Sequence, residues 1–151
     1  MKDDLLLLLK KELQLIADAD AVLSHSLRKC KEIGIKQDYT HDDLDRFEAL
    51  TSRFARLSDI LIQKTFRLID EIDLESTGTV RDRINRAEKK GLIDSADIFV
   101  EIRMLRNDIA HEYLPEAIRD IYARVLELTP SLLDCVKRVT EYGERVLQKV
   151  G

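Results

Sequence analysis

The chain has 151 residues, of which 44% are hydrophobic, 36% charged and only 5% aromatic, with no Trp. Its formal net charge of −4 excludes a protein that coats nucleic acid by bulk charge, although it leaves room for a local basic site. Five Gly and two Pro are little material for turns, so composition favours long helices, and the length favours one domain over residues 1–151.

Cys30 and Cys135 have neither zinc-ligand spacing nor a CxxC arrangement, and each sits in an apolar helical pattern. They are expected to be buried and reduced, which suits a reducing compartment. The opening segment holds five leucines, Leu5 to Leu9. That is too short for a signal-peptide core, and Asp3 and Asp4 spoil a positive flank. No stretch approaches a membrane span, so no membrane association and a cytoplasmic location are expected.

The first helix is predicted from about Asp4 to Ile33, ending at Gly34. Leu9, Leu13, Ile16, Leu23, Leu27 and Cys30 form one stripe at heptad-like spacing. Asp20 falls within that stripe, where a carboxylate needs a partner or a site to face, and pairing is the expected outcome. The second helix starts at a capping box, Thr40 with Asp43, and its apolar residues recur from Leu44 through Phe47, Leu50, Phe54, Leu57, Leu61 and Leu68 to Ile72. Arg53, Arg56, Lys64 and Arg67 share a narrow stripe on it when angles are counted at about 100° per residue. They can track a nucleic-acid backbone, or they can pair with acids on neighbouring helices.

A break at Gly78 is followed by a short third helix, capped by Thr79 and ending near Gly91. Asp94 or Ser95 can cap the fourth helix, whose core stripe is predicted as Ile98, Ile102, Leu105 and Ile109. Pro115 limits that helix and can open the fifth at its first position. Pro130 is expected to kink or split the fifth helix. Long amphipathic helices with short loops predict an all-α, antiparallel up-and-down four-helix bundle with one additional short helix.

The fourth helix separates three faces. Its core stripe is apolar. Asp97, Glu101, Asp108 and Glu112 crowd the outer side. Arg103, Arg106, Asn107 and Ala110 form a third sector, with His111 at its edge. Asn107 and His111 stand four residues apart, which places Asn107 to orient the imidazole. Arg106 and His111 stand five apart, roughly 140° around the helix, so one chain brings them together poorly. The small Ala110 inside a polar sector allows close approach of another backbone. A homodimer with an interface near Ala110 is therefore expected, and it can bring one protomer's Arg106 near the other's His111. The histidines at positions 25, 41 and 111 lie far apart in sequence, so no metal and no cofactor are expected.

The string Arg106-Asn107-x-x-x-His111-x-Tyr113 resembles the R-x-x-x-x-H-x-Y signature of HepT-like toxins in the HEPN superfamily. The segment from Arg56 to Arg86 is also similar to these proteins. The resemblance implies a HEPN-like helical domain and a metal-independent endoribonuclease whose two protomers line one composite cleft. His111 would move a proton at the ribose 2′-OH or the leaving oxygen, and Arg106 would stabilise charge on the scissile phosphate. Arg103 and the second-helix cations would hold RNA or a nucleotide. The resemblance further implies a minimal nucleotidyltransferase antitoxin as partner, with Tyr113 as the residue it adenylylates. A second reading is a non-catalytic companion of a nucleotidyltransferase that holds a nucleotide or the partner on the same basic face.

Overall fold

The computed structural model describes residues 2–112 and 114–150, and the regular structure among them is helical. Helix α1 spans Lys2–Ile33, α2 His41–Asp59, α3 Phe66–Ile72, α4 Val80–Lys89, α5 Ala96–His111 and α6 Pro115–Val150. A π-helical segment, Ile60–Thr65, joins α2 to α3. The starts and stops obey local chemistry. Thr40 and Asp43 form a reciprocal capping box on α2, and Thr79 and Asp82 form another on α4. Ser95 accepts a hydrogen bond from the Ile98 N–H and so caps α5. Gly34 ends α1 with φ of +74°, a conformation an L side chain resists.

Cross-contacts fix the direction of each helix. Arg53 of α2 bonds to Ser26 of α1, whereas Thr65 at the far end of the same rod lies near Glu12, so α1 and α2 run antiparallel. Phe66 faces Phe99, and Asp59 bonds to Arg106, so α5 runs against α2. Arg138 pairs with Asp94 and Arg124 with Asp108, so α6 runs against α5. The outcome is an all-α up-and-down bundle. α2 and α6 touch at its centre, with α1 and α5 on either side and not in contact among the described residues. None of these helices is long and apolar enough to cross a membrane.

One apolar cluster runs through all of these elements. Phe47 stacks on Tyr122 at one end, at a centroid distance of 4.4 Å, and Phe66 packs on Phe99 further along. The short α4 is clamped by a buried carboxylate: Asp70 accepts hydrogen bonds from Arg86 at 3.0 Å and Lys90 at 2.8 Å. Asp20 is half-buried and accepts a hydrogen bond from Ser24, one turn along the same helix.

The structure corrects three expectations. The second helix is not uniformly α-helical. In the π segment the Phe66 N–H donates to Leu61 O, five residues back, and the register slips. Side chains satisfy the displaced carbonyls: Arg83 donates to Ile62 O at 3.2 Å, and the Thr65 hydroxyl lies 3.2 Å from Ile60 O. Of the two outcomes expected at Pro130, the split does not occur: α6 runs unbroken through it, with Pro130 on an exposed face. On α5 the buried side chains are Ala96, Phe99, Ile102 and Leu105, with Ile98 and Ile109 only half-buried. Phe66, the first residue of α3, packs on Phe99, and α4 also contacts this helix.

Cys30 and Cys135 are both free and 0% exposed. Burial pushes the Cys30 thiol up to about 11 and holds that of Cys135 well above its ordinary value. Neither thiol should react with an aromatic disulfide reagent in native protein at pH 8, while both react at once in denaturant. Rapid labelling of the native protein would show that the helices do not pack as described.

Candidate functional site

A cleft of about 610 Å³ opens between the α2–π rod and α5. Its walls are Arg56, Asp59, Ile60, Gln63 and Lys64 on one side and Arg103, Arg106 and Asn107 on the other. Four cations therefore face one carboxylate, on a chain whose net charge is −4. The π segment contributes Ile60, Gln63 and Lys64, so the local departure from α geometry forms part of the wall. The α5 wall is held in register by contacts at its start: Glu88 accepts from the Ala96 N–H at 2.7 Å, and Ser95 supplies the cap.

Arg106 is gripped at both ends of its fork. Its Nε donates to Asp59 Oδ1 at 2.8 Å and its Nη2 to Asp59 Oδ2 at 3.0 Å. These bonds raise the Arg106 pKa above its ordinary value; burial works against them, and the charge of Asp59 adds to the rise. Bidentate pairing fixes the guanidinium plane and leaves Nη1 and the second Nη2 proton for another acceptor. The positive field continues beyond the cleft. Burial, and then the neighbouring charge of Arg67, hold the Arg83 guanidinium below its ordinary value; Asp70 opposes this, and Arg86 and Arg103 add to it.

Of the residues singled out in the sequence, Arg56, Lys64, Arg103, Arg106 and Asn107 line this one cleft. Arg53 does not join them. It donates to Ser26 Oγ at 2.7 Å and Val22 O at 3.1 Å, which ties α2 to α1. Arg67 is exposed and lies past the cleft, because the extra residue in the π turn rotates the downstream side chains by about 100° relative to the simple helical count. His111 is exposed at the end of α5 and does not line the cleft of its own chain. No hydrogen bond joins Asn107 to His111 among the described residues, so Asn107 does not orient that imidazole here. Tyr113 lies outside the described residues. Helical patterning misses the Asp59 grip on Arg106. A signal for it exists, since Asp59 is the only acid between Glu48 and Asp70, in a run that carries Arg53, Arg56, Lys64 and Arg67.

No protein-family model, curated protein or solved structure matches the chain. The chemistry of the cleft therefore rests on its own side chains. Among the described residues, no three His, Cys, Asp or Glu side chains converge as a ligand set for a metal. Guanidinium and ammonium groups around an open cleft suit a phosphodiester: each is a fixed positive donor, and Arg offers paired donors to two phosphate oxygens. Gln63 and Asn107 add amide donors and acceptors that can address sugar or base.

Proposed function

We propose that this chain is a metal-independent endoribonuclease of the HepT-like type in the HEPN superfamily, a toxin restrained by a nucleotidyltransferase antitoxin. The observation that carries the reading is the cleft in which Arg56, Lys64, Arg103 and Arg106 converge beside Asn107. In the proposed reaction the ribose 2′-oxygen attacks the adjacent phosphorus and the 5′-oxygen leaves. The 2′-hydroxyl gives up a proton as its oxygen bonds to phosphorus, and the 5′-oxygen takes one up as the P–O5′ bond breaks, leaving a 2′,3′-cyclic phosphate; His111 carries one of these transfers and water the other, and Arg106 stabilises the charge that builds on the phosphate. Asp59 acts on Arg106 alone: it holds the fork so that the remaining N–H groups point to a fixed place. RNA is held by the other cations, and Tyr113 is the residue the antitoxin would modify.

A homodimer completes the site. Ala110 is exposed, and Met104, 59% exposed, shares the i, i+3, i+7 stripe of Asn107 and His111. A two-fold pair across this face would bring His111 of one protomer to the Arg106 cleft of the other. Wild-type protein at micromolar concentration should therefore have the mass of a dimer or a multiple of it, and Met104→Arg should halve that mass. A monomeric wild type, or no change of mass in Met104→Arg, would contradict the composite site. Light scattering reads both.

The companion reading also has an observation in its favour: Asp59 already occupies the Arg106 fork, and His111 lies outside its own chain's cleft. Purified protein incubated with RNA in the presence of a chelator separates the two. The nuclease reading requires cleavage that persists in the chelator and disappears in His111→Ala. The companion reading requires nucleotide binding with no cleavage above the His111→Ala background.

A further inference from the structure

The outer face of α1 carries a pattern that the cleft does not use. Leu7, Leu8, Leu15 and Val22 are 54%, 48%, 40% and 38% exposed, and they make up half of the large hydrophobic side chains exposed among the described residues. Leu8, Leu15 and Val22 repeat every seventh position, the spacing of a coiled-coil seam. Single exposed apolar residues are ordinary, but a heptad row of them on one helix is not. A second heptad row runs beside it: Asp4, Lys11, Asp18 and His25, all exposed. Asp4, Lys11 and Asp18 alternate in charge along the helix.

The two rows have nearly the same centre. The apolar row is centred on residue 15 and the charged row between residues 14 and 15. Turned end for end about the point between residues 14 and 15, the exposed face pairs Lys11 with Asp18, Asp4 with His25, Leu7 with Val22 and Leu8 with Ala21, and Leu15 lies beside the axis against Gln14. A parallel pairing would instead set Lys11 against Lys11 and Asp18 against Asp18, which is repulsive. We infer that the outer face of α1 is an interface for a second copy of this chain, packed antiparallel across Leu8, Leu15 and Val22, with Lys11 of each copy opposite Asp18 of the other. Asp18 stands about one turn from the two-fold axis and accepts a hydrogen bond from Gln14, 2.9 Å long. Because α1 and α5 do not touch within the bundle, this interface leaves the α5 face open and rests on no reading of function. With the α5 pairing it would build a dimer of dimers.

The test is cross-linking at the axis. Leu15→Cys places a thiol beside its own symmetry mate, while Cys30 and Cys135 are buried and do not compete. Under mild oxidation, Leu15→Cys should form a disulfide-linked dimer many times faster than Lys10→Cys, which is exposed on another side of α1. Adding Lys11→Glu to Leu15→Cys should slow the cross-link several-fold, and adding Asp18→Lys as well should restore it. Cross-linking no faster than the Lys10→Cys control, or a charge swap that fails to restore the rate, would overturn the interface.

Discussion

His111→Ala protein should melt close to the wild-type temperature while losing RNA cleavage by about 10²–10⁴-fold, the scale of a general acid–base group. The side chain is exposed at the end of α5 and makes no hydrogen bond or ion pair among the described residues, so its removal opens no cavity. Surface substitutions of this kind fall within about 0.5 kcal/mol. Arg106→Ala should behave similarly, losing on the order of 10²–10³ in rate. Its ion pair with Asp59 is bidentate, but the two side chains are 32% and 43% exposed, and solvent-exposed pairs contribute about 1 kcal/mol or less. If the two residues act as one unit, the double variant should be little worse than either single one. Circular-dichroism melts beside cleavage rates read all of this. A His111→Ala protein that melts far below the wild type, with its folded fraction still cleaving at the wild-type rate, would make the residue structural.

The largest effect on stability should come from the other side of the same helix. Phe99 is 2% exposed and packs on Phe66 at a centroid distance of 6.0 Å. Phe99→Ala should cost about 3–5 kcal/mol, the range for truncating a buried aromatic ring. Ile98→Ala, one residue away but half-buried, should cost clearly less. Urea denaturation with an unchanged m-value checks the ordering. Equal losses would place α5 at a different rotation and would move Arg106 off the cleft wall.

Much of this molecule can be read from local chemistry. The caps at Thr40, Thr79 and Ser95, the stop at Gly34 and the start at Pro115 are each decided by residues within one turn, so sequence spacing suffices. Counting angles along each helix reaches Arg56, Lys64, Arg103, Arg106 and Asn107 but passes over Asp59 and Gln63, which share the cleft wall with them. The features that were not legible depend on contacts between distant segments. In the π turn one displaced carbonyl, that of Ile60, is met locally by Thr65, but that of Ile62 is met by Arg83 from α4, which the sequence of residues 60–65 does not announce. Arg53 and Arg56 look equivalent in sequence, yet Arg53 turns to α1 because Ser26 and the Val22 carbonyl await it there. Phe99 is buried against Phe66, 33 residues away in sequence, a contact that spacing along α5 alone does not announce.

In the proposed enzyme, Arg106 of one protomer works with His111 of the other, and subunit mixing tests that pairing most directly. Arg106→Ala and His111→Ala proteins, each inactive alone, are mixed, allowed to exchange subunits and assayed on RNA. In a mixed dimer one Arg106–His111 pair lacks both groups and the other pair keeps both. Activity should recover to roughly a quarter of the wild-type level, since statistical exchange makes about half of the dimers mixed and each retains one site of two. A mixture that exchanges subunits but stays as inactive as its parents would contradict the composite site.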